Sequence, residues 1–190
     1  MRLGLLGGSF DPVHLGHLLV AQAAREELEL ERVFFIPTAT SPFKTAAQPA
    51  PAAQRLRLLR LALAGEIHCR VDDQEVRRGG VSFSIETIGN YVQTYPGAQL
   101  FYLIGADQAP HLPLWRQAAE VARLVEFVVV PRPGEPPPQL PAPFRGRALR
   151  GFPLAASSSQ IRRRIKEGLP INHLTSAAVA EAIRNNGLYL

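Results

Sequence analysis

The chain has 190 residues, 46% of them hydrophobic and 19% charged, a balance that supports an ordered core and excludes a disordered chain. Its formal charge is +5, carried almost wholly by arginine, since Lys44 and Lys166 are the only lysines; the surplus suits polyanionic ligands, nucleotides as much as nucleic acid, although GC-rich coding accounts for much of it. The single cysteine, Cys69, excludes an intrachain disulfide and a cysteine-based zinc site, and the apolar run before Asp11-Pro12 is too short for a signal-peptide core or a membrane span, so a cytoplasmic protein is expected.

In chain order, Arg2 to Leu6 reads as a short strand that ends in Gly7-Gly8. Leu15 to Leu30 has a helical period, with Leu15, Leu18, Leu19, Ala23 and Leu28 facing inward. Val33 to Pro37 is a continuous apolar strand, as in a parallel sheet covered on both faces. Prolines 42, 49 and 51 mark a loop over 38–52, and a helix follows from Gln54 to Ala64, closed by Gly65. Further strands are expected at Ile67–Val71, Leu100–Ile104, Glu126–Val130 and near Ala148–Phe152. Further helices are expected at Ser84–Thr94, Gln117–Leu124, 159–167 and 175–186. The proline-rich stretch Pro131 to Pro143 reads as a surface loop, so residues 1–190 are read as a single domain. Strands alternating with helices predict an α/β fold: a doubly wound, mostly parallel sheet with helices on both faces and a C-terminal helical segment. Ligands of such sheets sit at the carboxyl ends of the strands, near the topological switch point.

Residues 7–17, GGSFDPVHLGH, follow the first strand and open the first helix. The segment is neither a P-loop nor a dinucleotide fingerprint, because the Gly-Lys-Ser/Thr and G-x-G-x-x-G spacings are absent. Its glycines let the backbone approach an anion, and the helix N-terminus adds unpaired N–H groups and a positive dipole end. His14 and His17, three residues apart, share one face of the first turn, while Gly16 leaves room for a base or ribose to lie on the helix. An isolated H-x-x-H more often packs or caps a helix; placed behind a strand and a Gly-Gly turn, the pair suits phosphoryl chemistry. Displacement at phosphorus needs positioning and neutralisation of growing charge, which imidazole N–H groups supply.

The second segment, Ala156-Ser157-Ser158-Ser159-Gln160-Ile161-Arg162, precedes another helix. Serines there cap the helix and can donate to phosphate, and Arg162, one turn in, can clamp phosphate oxygens. Taken alone, it would read as a capped surface helix with a solvated Arg162–Arg164 run.

The run Gly8 to His17 resembles the G-x-F-D-P-x-H-x-G-H pattern of the HxGH nucleotidyltransferases, and residues 157–162 resemble their S-S-T-x-I-R signature, with Ser159 in place of threonine and Ala156 in place of the preceding isoleucine. Pro37 through Ser41-Pro42-Phe43-Lys44, Glu75 through Arg78 with Val81 through Thr87, Leu103-Ile-Gly105-Ala-Asp107 with Trp115-Arg116, and Ala182 through Tyr189 resemble the nicotinate-mononucleotide adenylyltransferases within that superfamily. The resemblance implies a Rossmann-like fold and transfer of AMP from ATP to nicotinate mononucleotide, with Mg2+ bound mainly through the ATP phosphates and no metal ligand from the protein. It implies His14 and His17 as catalytic residues. Gly7, Gly8, Ser9, Phe10, Gly16, Lys44, Ser158, Ser159 and Arg162 would bind ATP and its phosphates. Gly105 and Asp107 would hold ribose, and Ser84, Trp115 and Arg116 the nicotinate ring and its carboxylate. Neither nucleic acid nor membrane is expected as a partner. The rival readings are another HxGH enzyme, such as a phosphopantetheine adenylyltransferase, and a basic nucleic-acid-binding module. The latter needs basic residues interleaved with aromatics on one surface, whereas the 7% aromatics here fall mostly in strand-like runs.

Overall fold

The structure is a computed structural model that describes residues 1–42, 49–132, 134, 136, 139–151 and 154–190. Six strands, β1 (Arg2–Gly8), β2 (Arg32–Pro37), β3 (Cys69–Val71), β4 (Gln99–Gly105), β5 (Glu126–Val130) and β6 (Gly146–Ala148), form one parallel sheet in the order β3-β2-β1-β4-β5-β6. Seven α-helices are described: α1 (Leu15–Leu28), α2 (Ala52–Ala62), α3 (Gln74–Arg78), α4 (Ser84–Thr94), α5 (Ala118–Leu124), α6 (Ser158–Lys166) and α7 (Ala177–Asn185).

Residue alternation along each strand sorts the core into two layers. Leu6, Val33, Phe35, Phe101, Leu103 and Val128 face α1, α2, α6 and α7. Leu3, Leu5, Phe34, Ile36, Tyr102 and Phe127 face α4, α5 and a 3-10 helix over Ala106–Leu114. Both faces are covered, which is why the central strands read as continuous apolar runs. The chain leaves β3 at one edge and re-enters on the other side of β1 as β4. The switch point therefore lies between the carboxyl ends of β1 and β4. Leu6 pairs with Leu103, so Gly8 and Gly105 leave the sheet at the same level.

Several expectations shift. In α1 the buried residues are Ala21, Ala23, Ala24 and Leu28, while Leu15, Leu18 and Leu19 are only half-buried. The first turns of α1 stand at the carboxyl edge of the sheet, among the loops, and small alanines bring its later turns close to the strands. α1 stops at Leu28, because Glu29 turns into the left-handed region at φ 51°. β3 begins at Cys69, leaving Ile67 exposed. β6 is Gly146–Ala148, ahead of the expected position, and Phe152 lies outside the described residues. Two elements were not expected: α3 is too short for periodicity to resolve, and Pro110 and Pro113 hide the 3-10 helix from any α-helical pattern.

Candidate active site at the β1–β4 switch point

β1 ends in Gly7-Gly8, and the chain then makes a tight turn through Phe10, whose φ of 46° is left-handed. Gly7 is required sterically: a Cβ there would stand 2.7 Å from the Tyr102 hydroxyl. The Phe10 side chain is only 2% exposed and packs against Phe35, with its ring 4.9 Å from that of His17. The ring thus packs between Phe35 and His17.

His14 is the N-cap residue of α1 and is 8% exposed. Its ring stacks on that of His17, with centroids 3.7 Å apart and planes 29° from parallel. The His14 backbone N–H donates to His17 Nδ1 at 3.2 Å. Nδ1 of a neutral His17 is thus an acceptor, and the ring carries its proton on Nε2. His14 Nδ1 is buried without a partner among the described residues. Burial lowers the His14 pKa from 6.5 to about 4, so its ring is neutral at physiological pH. The space at Gly16 is taken by His14 itself rather than kept for a base or ribose: a Cβ on Gly16 would lie 2.9 Å from His14 Nδ1 and 3.0 Å from Cε1.

The second motif docks on the first. Ser157 caps α6 by accepting from the Gln160 N–H at 3.1 Å. The Ser158 hydroxyl donates to the Pro12 carbonyl at 2.8 Å, which makes it a tether between the two motifs. Arg162 donates to the Asp11 carbonyl at 2.7 Å and to Ser159 Oγ at 3.2 Å. His14, His17, Ser159 and Arg162 are thereby brought to one rim. The C-terminal segment closes the same loop: the Tyr189 hydroxyl donates to Asp11 Oδ1 at 2.9 Å, and Thr175 Oγ1 donates to the Val13 carbonyl at 2.9 Å.

A second cluster forms beside β4. Ser84 begins α4, and its Oγ lies 3.1 Å from the Tyr102 hydroxyl. The Tyr102 ring meets half-buried Trp115 edge-on at 5.6 Å. The Arg116 guanidinium stands 4.7 Å over the Phe83 ring and 3.4 Å from Glu86. The expected trio of Ser84, Trp115 and Arg116 is therefore contiguous. Asp107 is exposed at the end of β4, close enough to Gly105 that a Cβ there would lie 2.6 Å from its Oδ1, and Arg132 approaches it at 3.8 Å. Lys44 and Phe43 lie outside the described residues. Among the described residues, no group of three or more His, Cys, Asp or Glu side chains is placed to hold a metal ion.

This geometry has a counterpart in known proteins. The sequence profile of the Cytidylyltransferase-like family matches residues 5–164. A probable nicotinate-nucleotide adenylyltransferase of Methylacidiphilum infernorum is 39% identical over 194 residues, covering 100% of this chain and 92% of that protein. One of the same name in Shouchella clausii is 40% identical over 192 residues, covering 99% and 96%. The chain belongs to the nicotinate-nucleotide adenylyltransferase family. It is accordingly a nucleotidyltransferase. The Plasmodium falciparum nicotinic acid mononucleotide adenylyltransferase, solved in complex with NaAD, shares the fold at a TM-score of 0.80, covering 99% of this chain and 97% of that one at 13% identity. The Rossmann-like fold is thus common to family members whose sequences have diverged widely. No helix among the described residues is long and apolar enough to cross a membrane.

Within this adenylyltransferase framework, one residue escaped the sequence reading. Arg55 on α2 is 1% exposed, and its guanidinium donates to the carbonyls of Ser9 (2.7 Å), Thr38 (2.8 Å) and Ala50 (2.9 Å). It ties the glycine turn to the end of β2. Its spacing carried a signal: Arg55 shares a helix face with buried Leu58 and Leu59, whereas Arg57 and Arg60 face solvent.

Proposed function

We propose that this chain transfers AMP from ATP to nicotinate mononucleotide, releasing pyrophosphate and forming the deamido dinucleotide of NAD biosynthesis. An oxygen of the acceptor's phosphate attacks the α-phosphorus, the bond from that phosphorus to the bridging oxygen breaks, and pyrophosphate leaves in line. His14, neutral by burial, and His17 aim N–H donors at the α- and β-phosphate oxygens, where charge grows. The backbone at Gly7, Gly8, Ser9 and Phe10 and the N-terminus of α1 cradle phosphate, and Gly16 makes room for the His14 ring. Ser159, Arg162 and Lys44 neutralise the remaining phosphates, with Ser158 fixing their position. Asp107, beside Gly105, takes ribose hydroxyls. The half-buried Trp115 stacks its indole on the pyridinium ring, and backbone groups near Ser84 and Arg116 read its carboxylate.

Magnesium would be held mainly by the triphosphate oxygens and would supply charge neutralisation there; the protein's own residues position the reactants and stabilise the growing charge. Residues 1–190 are read as a single nucleotidyltransferase domain working in the cytoplasm, with neither nucleic acid nor membrane as partner. The observation that carries the reading is the stacked His14–His17 pair at the start of α1, tethered to the Ser158–Arg162 segment.

The test is pyrophosphate release from ATP with a panel of phosphorylated acceptors. Nicotinate mononucleotide should give the highest kcat/KM. Faster turnover of phosphopantetheine, or of no acceptor at all, would contradict the reading.

A further inference from the structure

Helix α3 holds the Glu75–Arg78 run, to which no role has been given, and carries the most buried acid among the described residues, Glu75, at 3% exposure. Glu75 Oε1 accepts from Thr87 Oγ1 at 2.6 Å. The Ser82 side chain faces the same carboxyl, and its Oγ accepts the Ala39 N–H at 2.9 Å. Ser82 and Thr87 flank the first turn of α4, where Ser84 meets Tyr102. Other ties run along the same helix pair: the Tyr91 hydroxyl donates to Asp72 at 2.5 Å, Asn90 donates to Gln74 at 2.7 Å, and Arg78 pairs with Glu86 at 3.0 Å.

We propose that Glu75 is a positioning residue for the acceptor: bonded to Thr87, it holds the first turn of α4 where the pyridine carboxylate docks. The inference rests on the reading of Ser84 and its neighbours given above. Two observations favour position over stability as its role. Glu75 Oε2 is buried with no partner among the described residues, and a buried acid with an unpaired oxygen weakens a fold rather than strengthening it. The other ties already join the two segments, whereas Glu75 reaches Thr87, buried at the inner side of the docking turn. Burial also pushes its carboxyl toward the protonated form, the state best tolerated there.

Glu75→Ala should raise KM for nicotinate mononucleotide about tenfold, with KM for ATP within about twofold and kcat within about threefold of wild type. Glu75→Gln keeps an oxygen to accept from Thr87, and should return the acceptor KM to within about threefold of wild type. Thr87→Val removes the same hydrogen bond with little change of shape and carries the test if Glu75→Ala does not fold; it should reproduce the selective rise. Both KM values rising together, or an unchanged acceptor KM in a folded Glu75→Ala or Thr87→Val protein, would overturn the proposal. A wild-type protein that ignores nicotinate mononucleotide would overturn the acceptor reading itself, and the proposal with it.

Discussion

His14 shows how one buried ring couples catalysis to stability. Its folded pKa is about 4, against 6.5 when unfolded. Between those values the unfolded chain binds more protons, so stability is present above the unfolded pKa and is lost as pH falls. The His14 contribution lost by pH 5 is about 2 kcal/mol, out of about 3 kcal/mol over the whole window. Urea unfolding of wild type and His14→Gln at pH 7.5 and pH 5 measures it: the variant should lose about that much less on acidification. Equal losses would mean that the ring is not held neutral by burial. Gly16 gives a second test at the same scale. Alanine raises intrinsic helix propensity by about 1 kcal/mol, yet a Cβ at 2.9 Å must displace His14. Gly16→Ala should therefore remain folded while kcat falls on the order of tenfold or more, since small displacements of a reacting group carry costs of that size. Unchanged kcat would mean that the position of the His14 ring does not matter.

The elements of the site act by docking on one another, which makes neighbouring arginines unequal. Arg162 lies against the Asp11 loop, while Arg164 donates to the Pro170 carbonyl at 2.8 Å, away from that loop. Arg162→Ala should raise KM for ATP about tenfold or more, and Arg164→Ala should change it less than about threefold. Equal effects would reduce both to a diffuse basic field. In the proposed reading, the α4 and Trp115 side sets acceptor choice. Nicotinate and nicotinamide mononucleotides both carry a pyridinium, so stacking on Trp115 cannot separate them; the carboxylate must, at about 1–3 kcal/mol. Trp115→Ala should lower kcat/KM for both acceptors and leave much of their ratio intact. A variant that handles both like wild type would make Trp115 a packing residue, consistent only with its edge contacts to Tyr102 and Phe127.

Across the whole molecule, the sheet and its switch point were legible because the strands are continuous apolar runs alternating with helices. The two motifs of the candidate site were legible because each sits at a strand-to-helix or loop-to-helix junction, and the fold docks one on the other. What sequence reasoning missed depends on long-range partners. Arg55 looks like any helical arginine until β2, the glycine turn and Ala50 surround it with carbonyls. Glu75 falls in a run that resembles the family, but only the fold shows that its side chain is buried and bonded to Thr87. Leu15, Leu18 and Leu19 had the right period for burial, but periodicity does not report that the start of α1 stands at the sheet's edge.

The central claim is that the stacked histidines stabilise the charge that grows during adenylyl transfer. It is tested most directly by the steady-state rate of pyrophosphate release for His17→Ala against wild type, at saturating ATP and nicotinate mononucleotide, with folding checked by circular dichroism. Loss of one donor aimed at the transition state should lower kcat about a hundredfold or more, with smaller changes in either KM. A folded His17→Ala protein that turns over at close to the wild-type rate would contradict the account.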